Sequence, residues 1–333
     1  MFPDELAYLP SVYRKGAPPK LQRLFTAFVE KRALQNAISS PMLAGDDQKI
    51  HAARVLSASD RHACLWMTDM VKERGVSLNA PQYRLSFNTL LGIPLPDPQP
   101  CACGITTSDC RHLLTCDASK RRAFLDRHDL MANHLRALSV MAGAVATLLP
   151  RYCPQDGAPN SAIDDPWMNA HGANAFKIPD LKVVTGSMEA ALDITIGYPG
   201  TKSNVASACV FALTSAKNAE KQKNVKYVRR VEWEQDFEAS ASSGSFQVRR
   251  TGCLFIPFAL ETNGALGPAA RSFLSKLATN AEVYNLFSRR DFLRMAYRDV
   301  SVLLQRCNAR VLSYQRLDAM NRVSKGRVPF SAR

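Results

Sequence analysis

The stretch "KIPDLKVVTGSMEAALDITIGYP" carries two carboxylates, Asp180 and Asp193, thirteen residues apart. Thr-Gly-Ser-Met at 185–188 lies midway between them. A two-residue loop at Gly186-Ser187 has glycine where a type II′ hairpin turn wants it. In that register Asp180 faces Asp193, with Cβ atoms roughly 4.5–5.5 Å apart. Leu181, Val183, Ala190, Leu192, Ile194 and Ile196 fall together on the other face. Two carboxylates side by side repel, so they need a cation or a shared proton. Hard oxygen ligands suit Mg²⁺, which makes Asp180 and Asp193 candidate catalytic ligands of that ion.

Phosphodiester chemistry at such a pair also wants a positive side chain. Many metal nucleases place a lysine two residues after the second acid, but that position holds Thr195. The next helical stretch offers Lys217, Lys221, Lys223 and Lys226. Lys223 and Tyr227 are four residues apart and share a helix face. A lysine there would orient the attacking water or stabilise a pentavalent phosphate; the alternative is a solvated or phosphate-binding face. Upstream, "RRAFLDRHDLMANHL" holds Arg127, His128 and Asp129. His128 is a candidate for contact with a scissile phosphate, against the alternative of a paired surface histidine.

A second cluster, "CACGITTSDCRHLLTC", supplies Cys101, Cys103, His112 and Cys116. Three thiolates and one imidazole complete a closed tetrahedral Zn²⁺ site of the structural kind. Such a site contributes about 10–16 kcal/mol of apparent binding free energy, enough to fold a small loop. Cys110 could replace one ligand, and a set of free cysteines is the alternative. No secretory signal precedes the cluster, which favours metal binding over disulfides.

These groups need elements to position them. Residues 1–95 read as helical, punctuated by Pro18-Pro19 and Gly75. Within them "AGDDQK" at 44–49 contains a Gly-Asp-Asp but lacks flanking strands, so a solvated inter-helix loop is expected. "GIPLPDPQP" at 92–100 reads as a linker. One long helix is expected from about Ser119 to Leu149, then a long loop over 151–175 and the hairpin at 180–197. A single basic helix, "SACVFALTSAKNAEKQKNVKYVRRVEW", follows; "CLFIPFALET" reads as an apolar strand. Helices then run from Gly267-Pro268 to about Met320. From Ala319 onward the chain is basic and lacks acids, which predicts a tail.

The 333 residues carry a net charge of +14. Two or three domains are expected from that length, and a polyanionic partner from the charge, with nucleic acid first. The longest apolar run, "LSVMAGAVATLL", is shorter than the about 20 residues a membrane span takes.

In order, "CACGITTSDCRHLLTC", "RHD", "PD", an acid in a strand and "KQKNVKY" resemble the C-terminal region of site-specific non-LTR retrotransposons. That region is a zinc knuckle followed by a restriction-like endonuclease of the PD-(D/E)XK class. The resemblance covers about residues 80 to 270, and "LETNGALGPAARSFLSKLA" is similar to a further segment of such proteins. It implies a mixed α/β fold: a restriction-endonuclease-like sheet flanked by helices, behind a helical domain. The divisions it implies are a helical domain (1–95), a zinc knuckle (96–118), the endonuclease domain (119–310) and a basic tail (311–333). It assigns zinc to Cys101, Cys103, His112 and Cys116. Asp180 and Asp193 match the catalytic acids, Arg127, His128 and Asp129 an Arg-His-Asn/Asp motif, and Lys223, Lys226 and Tyr227 a Lys-x-x-Lys-Tyr motif. The implied activity is Mg²⁺-dependent nicking of target DNA. The alternative is a zinc-stabilised nucleic-acid-binding protein with an inactive nuclease core. The partners implied are DNA, with RNA as a second choice, and a reverse transcriptase from another chain, because no polymerase motif is present here. That absence implies a detached element end or a retained relic. The compartment implied is intracellular, the nucleus, with no membrane.

Overall fold

The computed structural model describes residues 30–39, 44–68, 77–101, 103–116, 123–148, 179–225 and 254–324. In chain order these form α1 (30–38), α2 (Gly45–Ala58), α3 (Leu65–Thr68) and α4 (Ala80–Leu91). Strands β1 (Gln99–Pro100) and β2 (Thr106–Thr107) follow, then α5 (Cys110–Thr115) and α6 (Ala123–Met141). The central strands are β3 (Val145–Leu148), β4 (Leu181–Val184) and β5 (Glu189–Gly197). After α7 (Val205–Ala208) and α8 (214–225) come β6 (Leu254–Glu261), α9 (Pro268–Val283) and α10 (Arg289–Ser324).

Period-two alternation in the hairpin sets the centre of the molecule. β4 and β5 pair antiparallel, with Leu181 opposite Leu192 and Val183 opposite Ala190, which is the expected register. β3 adds antiparallel to β4 and β6 adds parallel to β5, giving the order β3-β4-β5-β6. The result is a small mixed sheet flanked by helices. Leu181, Val183, Leu192, Ile194 and Phe258 turn to one face and are at most 2% exposed. Met131, Leu135 and Leu138 of α6, Phe273 and Leu277 of α9, and Phe292, Val300 and Leu304 of α10 cover them. Each such side chain contributes about 1.5–3 kcal/mol when fully buried. Trp66 belongs to the same core, with Leu78, Tyr83 and Leu90 packed against it. Leu65–Thr68 and Ala80–Leu91 of the helical N-terminal region therefore sit on α10, one of the helices that cover the sheet.

Four local expectations change. The helix expected over 119–149 ends at Met141, and the chain turns into β3. Gly143 takes a left-handed φ of 80° and the Ala144 amide returns to the Ser139 carbonyl, a glycine stop. The β-branched Val145 and Thr147 then suit a strand. The Gly-Asp-Asp segment is no loop: Gly45 opens α2, and Asp46 and Asp47 sit in its first turn, where carboxylates favour the helix dipole. The single basic helix is broken over 209–213, where Leu213 adopts a φ of 64°. At the far end α10 runs through Ser324 with Val311 and Leu312 buried, so residues 311–324 are helix rather than tail.

One feature of the hairpin also differs. Gly186 is not among the positive-φ glycines, so the turn is not type II′. The Thr185 hydroxyl instead accepts from the Ser187 amide at 3.3 Å, and the Thr185 amide donates to the Met188 carbonyl at 2.7 Å. Side-chain bonding holds the register without the primed turn. Among the described residues, no helix is long and apolar enough to cross a membrane.

Candidate active site and metal centre

At the entry to β4 the ladder gives way to a side chain. The Asp180 amide donates to the Leu192 carbonyl at 2.7 Å. Its carboxylate Oδ2 accepts the Ile194 amide, also at 2.7 Å. The Asp180 carboxylate thereby takes a strand hydrogen bond directly beside Asp193. Nε2 of His128, on α6, lies 3.0 Å from the same Oδ2, and its Nδ1 lies 3.3 Å from Asp129 Oδ1. Making both contacts at once as donor requires the imidazolium form.

Asp193 lies on the sheet face opposite Leu192 and Ile194 and is only 5% exposed. Both of its carboxylate oxygens accept from Lys223 Nζ, at 2.9 and 2.8 Å. Charge-assisted bonds of this kind are about twice as strong as neutral ones. Of the lysines that the sequence offered, α8 brings Lys223 to the acids, while Lys217 and Lys221 are exposed. Lys226 and Tyr227 lie outside the described residues. The Thr195 hydroxyl, in the position where a lysine was sought, is buried and has no hydrogen-bond partner among the described residues.

Arg127 goes elsewhere. It is 5% exposed, its Nη1 donates to Asn308 Oδ1 of α10 at 3.0 Å, and its guanidinium lies 4.7 Å from the Phe124 ring centroid. Burial lowers its pKa to about 10. It braces α6 against α10, while the next residue, His128, turns to Asp180. A cavity of about 300 Å³ opens between the two helices, with Arg127, Asp129 and Arg310 in its wall.

Two residues that sequence reasoning missed set the position of Lys223. Glu261 closes β6, is 1% exposed, and its Oε1 accepts the Ser215 and Ala216 amides at 2.9 and 3.2 Å. These are orphan donors in the first turn of α8, so a carboxylate from the sheet caps the helix that carries Lys223. Burial pushes the Glu261 carboxyl above its ordinary pKa. Glu220, three residues before Lys223 on α8, accepts the Ala269 amide at 2.9 Å and so serves the start of α9. A Cβ on Gly267 would stand 2.1 Å from Glu220 Oε1, so that approach needs glycine. The available signal for Glu261 was an acid closing a strongly apolar strand.

The cysteine cluster is built locally. β1 and β2 form a minimal antiparallel pair, and the Cys101 amide donates to the Ile105 carbonyl across its tip. Asp109 caps α5 by accepting the Arg111 amide. That helix presents His112, with Cys116 directly after its last turn. The ligand atoms of Cys101, Cys103, His112 and Cys116 all lie within 4.8 Å of one another, and Cys103 Sγ is 3.3 Å from His112 Nε2. With Zn–S bonds of about 2.3 Å, ligands of one tetrahedron stand roughly 3.5–4 Å apart, so the set can hold one structural Zn²⁺. Cys110 is not part of it. That thiol is buried with Leu95, Leu113, Leu114, Val311 and Leu312, which seats the knuckle on α10, and burial raises its pKa.

No protein-family model matches the chain, and no curated protein matches it.

Proposed function

We propose that the chain is a metal-dependent endonuclease that nicks DNA, of the restriction-like PD-(D/E)XK type that accompanies a zinc knuckle in site-specific non-LTR retrotransposons. The observation that carries this reading is the contact of Lys223 Nζ with both oxygens of Asp193. It is made next to a second carboxylate, Asp180, that is joined to His128. A buried acid, a partly buried lysine and a histidine–carboxylate pair come together at neighbouring strands of the sheet. The donor set fits a hard cation. Asp193 already faces an ammonium, and Asp180 offers carboxylate oxygen beside it. Asp180 and Asp193 would hold Mg²⁺, which when bound polarises a phosphoryl oxygen and acidifies water.

The chain's own groups account for the rest. Lys223 holds a positive charge at Asp193 and would present it to a phosphate brought to the pair. His128 Nε2, when it carries a proton, can offer it to a leaving oxygen. Asp129 orients the ring through Nδ1. The buried Glu261 cap fixes α8, and with it the reach of Lys223.

A second reading has its own observation. Lys223 neutralises Asp193 within the protein, which is how an inactive core would keep its acids without metal, leaving a zinc-stabilised nucleic-acid-binding protein.

Supercoiled plasmid incubated with Mg²⁺ separates the two. The endonuclease reading expects nicked circles from the wild-type chain and a loss of about a hundredfold or more in Asp193→Asn, with DNA binding retained. Equal nicking by the variant overturns the assignment. DNA binding without nicking by the wild type favours the inactive core.

A further inference from the structure

The strand-to-helix connection after β5 carries an apolar tip that the site does not use. α7 ends at Ala208 and the chain turns over 209–213 before α8. Val210 and Phe211 at this turn are 61% and 66% exposed. The tip is held by its own backbone. The Val210 and Phe211 amides donate to the Ser207 carbonyl at 3.1 and 2.9 Å, and the Thr214 hydroxyl donates to the Phe211 carbonyl at 2.7 Å. Leu213 takes a left-handed φ of 64°, an unfavourable conformation for leucine. It is held because the next residues are fixed: Glu261 caps the Ser215 and Ala216 amides, and Asn204 Nδ2 donates to Ser215 Oγ. A phenyl ring is thus kept in water by a rigid support.

The chain that flanks the tip carries mostly one sign of charge. Between residues 198 and 225 the sequence has four lysines and one acid, Glu220. Glu220 accepts the Ala269 amide, and Lys223 pairs with Asp193. Lys202, Lys217 and Lys221 of this segment are left exposed. Lys217 and Lys221 are one helical turn apart on one face of α8. A lysine row suits a phosphate backbone, and an apolar side chain beside it suits the gap between two base pairs. Two side chains are too small an apolar face for a lipid surface.

We propose that Val210 and Phe211 form a wedge that enters the base stack of duplex DNA lying along the Lys217–Lys221 face of α8. The proposal rests on the DNA partner of the nuclease reading and adds how that DNA is gripped. From Leu213 to Lys223 the helix rises roughly 15 Å, about four base-pair steps at 3.4 Å each. The wedge therefore unstacks a step away from the scissile phosphate, and it favours sequences or lesions that unstack easily.

The full chain, without divalent metal, is titrated against two DNA duplexes of one sequence, one fully paired and one with a short central bubble. The wild type binds the bubbled duplex at least about fivefold tighter, the low end of what one stacked base contributes. Phe211→Ala abolishes that preference while keeping its melting temperature. Phe211→Trp keeps the preference, and its added indole fluorescence is quenched on the bubble, beyond any change in the native tryptophans. Lys217→Ala weakens both duplexes and flattens the salt dependence, with the preference intact. A preference that survives Phe211→Ala, or no preference in the wild type, overturns the wedge alone. Binding of neither duplex at low salt overturns the wedge and the DNA reading beneath it. Self-association that Phe211→Ala removes overturns the wedge by assigning the tip to a second copy of the chain.

Discussion

The knuckle and the carboxylate site reach their geometry by different routes. The knuckle takes its ligands from Cys101 to Cys116, through one tight pair of strands and one short helix. The carboxylate site takes His128 from α6, Asp180 and Asp193 from the hairpin, and Lys223 from α8, itself fixed by Glu261 of β6. The first has only a small apolar patch, which meets Val311 and Leu312, so a bound Zn²⁺ would supply much of its folding energy. The second sits on the main core, and its charges are neutralised within the protein. One cluster is local in the chain and shaped to take a metal; the other is assembled by the fold from distant elements.

The largest expected effect tests the first half of that contrast. Cys103→Ser should lose zinc altogether, since it removes one of four ligands from a site whose apparent binding free energy is on the order of 10–16 kcal/mol. Cys110→Ser should retain it. Elemental analysis of both purified variants gives the answer. Full zinc in the Cys103 variant would dismiss the four-ligand set, and loss in the Cys110 variant would restore Cys110 as a ligand.

A smaller effect tests the second half. Lys223→Ala leaves Asp193 buried without its ammonium and should destabilise the fold by about 3 kcal/mol, read as a lower midpoint in denaturant. If the acids can share a cation, added Mg²⁺ should restore more stability to this variant than it adds to the wild type. The carboxylate site would then depend on metal as the knuckle does. A Mg²⁺ response equal to that of the wild type would argue that the pair is purely structural.

The smallest effect concerns the cap. Glu261→Ala strands the Ser215 and Ala216 amides and should cost about 1–3 kcal/mol. Glu261→Gln keeps the accepting oxygen and removes the buried charge. Because burial raises the folded-state pKa of Glu261, its favourable contribution is present at low pH and is lost as pH rises through that raised value. The stability of Glu261→Gln relative to the wild type should therefore increase from about pH 4 to pH 7. Denaturant melts at the two pH values check this, and a difference that does not change with pH would mean that Glu261 carries no buried charge.

Some of this architecture was legible in residue spacing. Alternation over Leu181–Val183 and Ala190–Ile194 fixed which residues pair and which face the core, because a slip of one residue would turn Leu192 to the wrong side. Crowding of Cys101, Cys103, His112 and Cys116 pointed to one metal because those ligands need no long-range contact to meet. Thr195 in place of a lysine pointed to α8 as the source of positive charge. The turn type at Gly186 was misread because the Thr185 hydroxyl, not glycine's freedom, holds the corner.

What sequence alone determined here is what short-range physics determines: strand register, the buried face and the crowding of Cys101, Cys103, His112 and Cys116. The tertiary structure decided the break at Leu213, the exposure of Phe211, the diversion of Arg127 to Asn308 and the choice of Lys223 over Lys217 or Lys221. Each depends on partners far along the chain. Helical periodicity offers several lysines on one element, but only packing of α8 under the Glu261 cap selects the one whose nitrogen reaches Asp193.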